Sequence, residues 1–385
     1  MNPKLSPRFV HGIWANPSRG LILATALLTT TAAMSQDDDD SRFDRLWSRA
    51  TLHTGTSESR VQSVTLSGRF QIDQANVDSG DESFSDLDLR RFRFGVKAKF
   101  GAGLRLHAEA EYDPNGGDLG YKRLTDAYFA WSPGAAVDVA VGKQSVAFTM
   151  EGQTSSKELL TIDRSNLANN IWFTEEYIPG VSVSGEKGGF VYDAGIYSSG
   201  EKDRGFGQAN GHRFVLLTIG RDLSKRLSAS EAMLRFNYVD NDPDPTNSFT
   251  RPLENVYSAN FAFEKSGWGI HSDVSRATGY LGQSDLDGLM VMPFINLEHD
   301  LQLVFRYTYL DSEDPNGIRF ARYENAVVSG RGDEYSEIYM GLNRYWYGHK
   351  LKIQTGLAYA DMNDRAADGG AYTGWSWTTG FRLSW

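Results

Sequence analysis

Basic side chains recur at alternate positions in the segment RRFRFGVKAKF, residues 90–100. The cations of this row are Arg91, Arg93, Lys97 and Lys99. The apolar residues between them are Phe92, Phe94, Val96, Ala98 and Phe100. On a β-strand this spacing places all the cations on one face, because successive side chains point to opposite faces. Guanidinium forks match the paired oxygens of phosphates and carboxylates, so the row could bind anions or pair with acids of neighbouring strands.

Further basic residues lie on the polar phase of similar segments and join the same candidate set. They are Arg69, Arg105, Arg235, Arg306 and Lys352. Two more cations, Lys157 and Arg164, lie in a long connection between segments. Each of them could hold a passing anion or could pair with an acid such as Glu109, Glu111 or Asp138, and both interpretations are open. Lys143 falls on the apolar phase of its segment, which predicts a position at the rim or past a bulge.

The composition excludes several classes of site. The chain of 385 residues contains no cysteine, which rules out disulfides, thiolate zinc sites and cysteine nucleophiles. Its net charge of -10 argues against a nucleic acid as partner. We predict no catalytic residue, metal site or cofactor. An enzyme built on a membrane barrel would need a Ser–His pair on its outer face or rim, and no such pair is apparent.

The N-terminus has the pattern of a secretory signal peptide. Basic residues precede the short apolar run LILATALL, and small residues follow it in TTTAAMSQ. We predict a signal peptide over residues 1–35, with a short membrane anchor as the alternative. The run is too short to favour an anchor. Residues 36–60 then form a polar segment without a clear pattern, which begins with a solvated acidic tail, QDDDD.

From residue 61 to residue 385 the apolar residues recur with period 2, which is typical of strands with one polar and one apolar face. This pattern predicts about sixteen strands. Their centres are Gly68, Phe94, Ala108, Phe129, Val139, Val183, Ala194, Leu217, Leu234, Phe261, Ile270, Val291, Phe305, Met340, Leu357 and Gly380. Pro293 fits its strand poorly, because proline has no N–H to donate to a ladder.

The connections alternate between short turns and long polar loops, which predicts an antiparallel up-and-down β-barrel. A soluble β-sandwich would show the same alternation with its apolar face inward. Heavily charged polar faces and aromatic residues near strand ends favour a transmembrane barrel instead, with short periplasmic turns and long external loops. The apolar faces would then contact lipid, and the cations would face a water-filled lumen.

The chain resembles the phosphate-selective porin O/P family. The resemblance rests on LSGRFQID at 66–73, DLRRFRFGVKAKF at 88–100, the segment at 124–165, the segment at 337–359 and the closing GFRLSW. It includes the Gly142–Lys143, Ser155–Ser156 and Asp163–Arg164–Ser165 steps and the late Gly341–Tyr345 step. The resemblance implies a homotrimeric porin in a Gram-negative outer membrane. It also implies that residues 148–176 form a loop that folds into the lumen and constricts it.

These observations predict a porin for passive diffusion of small solutes, with a preference for phosphate or related anions. Outer-membrane lipid would be its surroundings, and small anionic solutes its partners. The alternatives are a general or sugar-type diffusion porin, a plugged structural barrel and, least favoured, a barrel enzyme. A pore selects by its diameter and by the charges along its wall, so the arrangement of the candidate cations decides among them.

Overall fold

The computed structural model describes residues 36–115, 119–134, 136–208 and 210–385. The predicted signal peptide, residues 1–35, lies outside the described residues. Of the helices in the described ranges, none is both long enough and apolar enough to cross a lipid bilayer.

The described chain is dominated by one antiparallel sheet of 17 strands. The first nine strands are β1 Thr51–Thr54, β2 Val61–Asp78, β3 Ser83–Phe100, β4 Leu104–Asp113, β5 Gly120–Gly134, β6 Val137–Ser145, β7 Tyr177–Lys187, β8 Phe190–Ser198 and β9 Arg213–Asp222. The others are β10 Glu231–Asn241, β11 Leu253–Lys265, β12 Trp268–Gly279, β13 Leu286–Asn296, β14 Leu301–Ser312, β15 Glu334–Tyr347, β16 Leu351–Asn363 and β17 Tyr372–Ser384.

Strands β2 to β17 form a closed barrel. Each of them pairs with its neighbour in sequence, and β17 pairs with β2 from Ser384 opposite Arg69 to Trp375 opposite Asp78. Closure leaves no free edge, as a lipid environment requires, because unpaired backbone groups are costly in hydrocarbon. The predicted up-and-down barrel is confirmed, and each of the predicted strand centres lies within one of these strands.

The two faces of the barrel wall differ in polarity as the alternation predicts. On the outer face, Phe94 is 45% exposed and Phe129 is 65% exposed. On the inner face, Arg93 has no exposed surface and Arg69 is 5% exposed. Burial of charge inside and exposure of aromatic rings outside are opposite to the order in a soluble barrel. The soluble sandwich is therefore excluded.

Pro293 lies within β13, as the strand assignment requires, and its side chain is on the outer face. The ladder between β13 and β14 is interrupted there: Val291 pairs with Tyr307, and the next pair is Phe294 with Val304. The missing N–H of proline is thus accommodated by a local gap in one ladder, while the register on both sides of the gap is the same.

The connections separate the barrel into two ends. Short turns lie at one end, called here the short-turn end: 101–103, 136, 188–189, 223–230, 266–267, 297–300 and 348–350. The opposite end, called the long-loop end, carries the described residues of the connections 79–82, 114–115 with 119, 146–176, 199–212 without 209, 242–252, 280–285, 313–333 and 364–371.

The polar segment before the barrel is more ordered than its sequence indicates. Helix α1 spans Gln36–Ser48, and strand β1 then pairs with β2, although the sequence of this segment shows no clear pattern. The indole Nε1 of Trp47 donates to the carbonyl oxygen of Ser384 at 2.7 Å. Tyr347 stacks on Phe43 with ring centroids 5.4 Å apart. The helix is attached mainly through two aromatic residues one turn apart, too few to give a visible period.

The exposure of Phe129 gives a test of the lipid-facing wall. Replacing it, as Phe129→Lys, should destabilise the barrel by about 2–4 kcal/mol, because a charge would enter the hydrocarbon layer. Denaturant unfolding in lipid vesicles measures this difference. The matched change Phe129→Met should cost far less, and equal stability of the two variants would contradict a membrane position for this face.

Candidate functional site

The connection after β6 turns into the barrel and crosses its interior; residues 148–176 are called the inner loop. It contains the short helices α2, Met150–Gln153, and α3, Asn166–Ile171. Thr149 precedes α2, has φ 63° and accepts the N–H of Gly152 through its hydroxyl at 3.1 Å. This cap redirects the chain inward after the last residue of β6.

The inner loop is hydrogen-bonded to widely separated parts of the wall. The N–H of Met150 donates to Asp273 Oδ2 on β12 at 2.6 Å. The Asn343 amide on β15 donates to the carbonyl of Leu160 at 2.8 Å. Gln71 Nε2 on β2 donates to the Ser156 carbonyl at 3.0 Å. Bonds to three sectors of the barrel hold the loop across the lumen.

Two predicted cations are paired with acids on the inner wall. Arg93 Nε lies 2.7 Å from Glu111 Oε2, and its Nη2 lies 3.7 Å from Glu176. Arg69 lies 3.3 Å from Glu109. These contacts support the wall-pairing interpretation for both arginines.

Arg306 on β14 joins the wall to the inner loop. Its Nε lies 3.0 Å from Glu337 on β15, and its Nη1 lies 3.3 Å from Glu151 on α2. The same nitrogen donates to the carbonyl of Asp163 at 3.0 Å. The guanidinium also packs over the ring of Tyr339, 5.1 Å from its centroid. One buried cation therefore satisfies two carboxylates and fixes the loop.

Lys352 and Arg164 donate hydrogen bonds to backbone carbonyls of the inner loop. Lys352 Nζ donates to the carbonyl of Leu159 at 2.6 Å, and its side chain has no exposed surface. Its expected position along an open lumen is therefore corrected: it lies on the inner face but beneath the loop. Arg164 donates to the carbonyls of Glu151 and Thr154 at 2.8 and 2.9 Å.

Four of the other predicted cations, Lys97, Lys99, Arg105 and Arg235, face the lumen toward the short-turn end. Lys97 and Lys99 are exposed on the inner phase of β3. Arg105 lies 2.5 Å from Asp138. Arg235 lines a cavity of about 780 Å³, whose other ionisable residues include Glu231, Glu264 and His271. Burial and the charge of Arg69 lower the pKa of Lys157 on the inner loop to about 8.

Lys143 lies near the end of β6, at the long-loop end. Its Nζ donates to the carbonyl of Gly205 in the loop 199–212, and it lies 5.6 Å from the ring centroid of Phe249. In the same loop, the backbone carbonyl of Arg204 accepts a hydrogen bond from the N–H of Leu124 on β5 at 2.7 Å. Loop 199–212 thus covers the wall where the chain after β6 has turned inward.

On the long-loop side, a cavity of about 250 Å³ borders the inner loop and is called the arginine cavity. It is lined by seven arginines and four carboxylates: Arg90, Arg91, Arg123, Arg164, Arg251, Arg306 and Arg322, with Asp163, Glu176, Glu324 and Glu337. Among the lining residues cations exceed acids by three, and Arg123, Arg306 and Arg322 also pair with carboxylates outside the lining. Among the lining residues, five buried N–H groups have no hydrogen-bond partner: the Nε of Arg90, Arg91, Arg123 and Arg251 and the Trp172 indole. Free, preorganised donors beside excess positive charge suit an anion.

A β-bulge explains why alternation missed Arg90. Gln71 pairs with Arg91, but the next residue, Ile72, pairs with Leu89, so Arg90 is an extra residue in β3. Its Nε lies 3.6 Å from Asp163 on the inner loop, so both adjacent arginines reach the lumen. Arg123 lies on β5 near two similar register shifts against β4. Bulges break the period of 2 on which the sequence prediction depends.

Three arginines on the long loops form a second group, called the loop arginines: Arg251, Arg319 and Arg331. None of them forms an ion pair with a carboxylate in the described part of the chain. Burial and repulsion from neighbouring arginines lower the pKa of Arg251 to about 9 and the pKa of Arg319 to about 10. The inner loop fixes Arg319, whose N–H donates to Asn170 Oδ1 at 2.8 Å. Uncompensated positive charge thus stands beside the arginine cavity.

Glu324, in the loop 313–333, adds a pH-dependent charge to the arginine cavity. Burial, with repulsion from Glu337, raises its pKa to about 7. Its carboxyl is neutral below that pH and ionised above it, so rising pH makes the cavity less positive. We expect the anion-to-cation permeability ratio to fall about three-fold as the pH passes through this range.

Reversal potentials at a series of pH values measure this step. Glu324→Gln should abolish it, and the ratio should stay at its low-pH level near neutrality. Glu313→Gln, a change to an exposed residue of the same loop, is the matched control and should keep the step. A step that persists in Glu324→Gln would assign it to another group, such as Lys157.

A closed barrel with a loop across its lumen and charged inner walls defines the porin class of membrane channel. The sequence profile described as "Phosphate-selective porin O and P" matches residues 64–251. The family resemblance predicted from the motifs is confirmed over these residues. Residues 64–251 therefore match a porin family, and the described barrel has the fold of a porin channel. No curated protein sequence matches the chain.

Solved porin structures share this fold at low sequence identity. The anion-selective porin of Comamonas acidovorans is 14% identical, covers 84% of this chain and 99% of its own, and gives a TM-score of 0.60. The high-pH structure of Pseudomonas putida OprB is 12% identical, covers 86% of this chain and 100% of its own, and gives a TM-score of 0.59. The trimer form of in-vitro folded Vibrio cholerae OmpT is 14% identical, covers 84% of this chain and 99% of its own, and gives a TM-score of 0.52.

Proposed function

We propose that this porin prefers small anions, with phosphate and related oxyanions as its solutes. The arginine cavity carries the proposal, because it holds seven arginines against four carboxylates and several of its N–H donors have no partner. The similarity in fold between this barrel and an anion-selective porin agrees with the proposed preference for anions. In a narrow passage of low dielectric, such an excess attracts anions and repels cations.

The proposed path has three parts. The loop arginines attract an anion at the long-loop end, where no carboxylate compensates them. The arginine cavity then holds it beside the inner loop, which narrows the lumen, through donors such as Arg91 Nε and Trp172 Nε1. Lys97 and Lys99 meet it beyond the loop, toward the short-turn end. Many weak sites let the ion move on rather than remain bound.

A general or sugar-type diffusion porin is the second candidate. It is favoured by the wider cavity on the short-turn side, where Glu231 and Glu264 accompany Arg235 and leave no excess of cations. A plugged structural barrel would require that the inner loop close the lumen completely. An enzyme has no support in the described residues, whose inner wall is occupied by ion pairs and loop contacts.

The assembly and location follow the same proposal. The channel would work as a homotrimer in a Gram-negative outer membrane after removal of residues 1–35. The trimer form of a porin with the same fold supports the oligomeric state. Native mass spectrometry of detergent-solubilised protein tests it, and a purely monomeric species would contradict it.

Reversal potentials in a planar bilayer test the preference. Under a potassium chloride gradient, the sign should show that chloride is more permeant than potassium. Added phosphate should reduce chloride current if both anions share the arginine cavity. A cation-selective potential would refute anion preference, no phosphate effect would favour the general porin, and absent conductance would favour the plugged barrel.

A further inference from the structure

One sector of the outer wall carries only basic charge at the short-turn end. Alternation from the exposed residues of each strand places Lys187 on β7, Arg221 on β9 and Lys265 on β11 on the outer face. The short helix α4, Ser224–Leu227, joins β9 to β10 and adds the exposed Lys225 and Arg226. These five cations are called the basic patch.

The cations of the basic patch are free of ion pairs within the described residues. The nearby acids are directed elsewhere: alternation places Glu186 and Glu264 on the inner face. Asp222 accepts the N–H of Ser224 at 2.8 Å and so caps the turn. Asp222 adds one negative charge close to Arg221 and Lys225, which leaves the net charge of this surface positive.

The patch is preorganised rather than a set of loose side chains. Arg221 packs over the ring of Phe190, 4.2 Å from its centroid, and its Nη1 donates to the carbonyl of Gly188 at 2.9 Å. Lys265 Nζ donates to the carbonyl of Leu227 at 2.8 Å. These bonds tie three successive short turns into one surface.

An apolar surface adjoins the patch on the membrane side. Ile219 is 58% exposed, Phe190 is 52% exposed and Trp268 is 49% exposed, all on the outer face. Aromatic residues of this kind sit at the level of lipid headgroups, and long basic side chains reach past them to the phosphates. The cations thus lie where the headgroups of the adjacent leaflet would be.

The basic charge is concentrated in this sector, although Arg344 on β15 also has the outward phase at this end. On β3 to β6 the outward residues nearest the short turns are apolar: Phe100, Leu104, Trp131 and Val137. A uniform basic ring would reflect only the general charge of the interface, whereas a single positive sector indicates a particular ligand.

We propose that the basic patch binds the headgroups of anionic phospholipids in the leaflet at the short-turn end. Guanidinium and ammonium groups contact the phosphate, and the apolar belt contacts the acyl chains. Each cation near an anionic membrane surface contributes about five-fold to such a preference. The site lies on the outer wall and is independent of the ion path.

Native mass spectrometry of the detergent-solubilised full chain tests the proposal. The protein is offered equal amounts of phosphatidylglycerol and phosphatidylcholine with identical acyl chains. We expect retained phosphatidylglycerol to exceed phosphatidylcholine by at least about ten-fold, and the triple variant Arg221→Gln, Lys225→Gln, Arg226→Gln to lower this ratio by at least about five-fold.

A second triple variant separates this patch from overall charge. Arg49→Gln, Arg344→Gln and Lys350→Gln remove the same charge elsewhere at or near the short-turn end and should leave the lipid ratio unchanged. Equal retention of both lipids by the unaltered protein, or an equal loss in the control, would overturn the proposal. Displacement of the lipid by an equal concentration of inorganic phosphate would also overturn it, since the site would then bind free phosphate. Reversal potentials should be the same in both variants, which separates failure here from failure of the proposed anion preference.

Discussion

Neutralising the loop arginines, as Arg251→Gln, Arg319→Gln and Arg331→Gln together, will lower the anion-to-cation permeability ratio about ten-fold. The three charges have no carboxylate partner, so their field acts on ions in the lumen rather than on the wall. A ten-fold change in the permeability ratio corresponds to about 1.4 kcal/mol. This is a modest share of the attraction that three nearby positive charges exert on an anion in a medium of intermediate dielectric. The reversal potential under a potassium chloride gradient measures the ratio.

The fold should tolerate this triple change. Burial and repulsion from neighbouring arginines lower the pKa of Arg251 and of Arg319, so removing these charges relieves both costs. The matched control is Arg204→Gln, Arg213→Gln and Arg276→Gln, which removes three exposed arginines at or near the long-loop end that do not line the arginine cavity. A control that lowers the ratio as much would show that selectivity comes from total loop charge. An unchanged ratio in the first variant would contradict a role for the loop arginines.

Replacing Arg306 with an apolar residue of similar length, as Arg306→Met, will destabilise the barrel by about 3–5 kcal/mol and raise its conductance. The change leaves Glu151 and Glu337 buried without their shared cation, and an uncompensated buried charge is costly. It also removes the bond to the Asp163 carbonyl that holds the inner loop. Denaturant unfolding measures the first effect, and single-channel recording measures the second.

A rescue variant separates the two effects. In Arg306→Met, Glu151→Gln, Glu337→Gln the charges are removed together, and most of the lost stability should return, because neutral groups do not carry the same desolvation cost. The conductance should remain high, since the loop has still lost its cationic anchor. A conductance that returns to the original level together with stability would show that the inner loop is held without Arg306. Wild-type stability of Arg306→Met itself would contradict the buried ion triad.

The strands were predictable because the two surroundings of a membrane barrel impose a strict period of 2. A residue of β3 such as Phe94 meets hydrocarbon, and its neighbour Arg93 meets the polar interior, so sequence alternation records the register directly. Even Pro293 did not disturb this prediction, since the barrel accommodates it with a gap in one ladder. The motifs also sufficed to recognise the family over residues 64–251.

The candidate site was predictable only in part. Arg91, Arg164 and Arg306 were identified and do line the arginine cavity, but Arg90 was missed because a bulge shifts its phase. Arg251 lies in an irregular loop, where no period indicates the direction of a side chain. Such residues can be found only once the loops are placed.

The sequence by itself determined the barrel, its register and the distribution of charge between its faces, because alternation responds to the local contrast between lipid and water. The tertiary structure decided which cations are free to meet an ion. Lys352 and Arg93 have the same inward phase as exposed Lys97, yet both are buried against partners far away in sequence. The pairing of a cation depends on where the inner loop crosses the lumen. That path is set by contacts between residues that are 123 and 183 positions apart in the sequence.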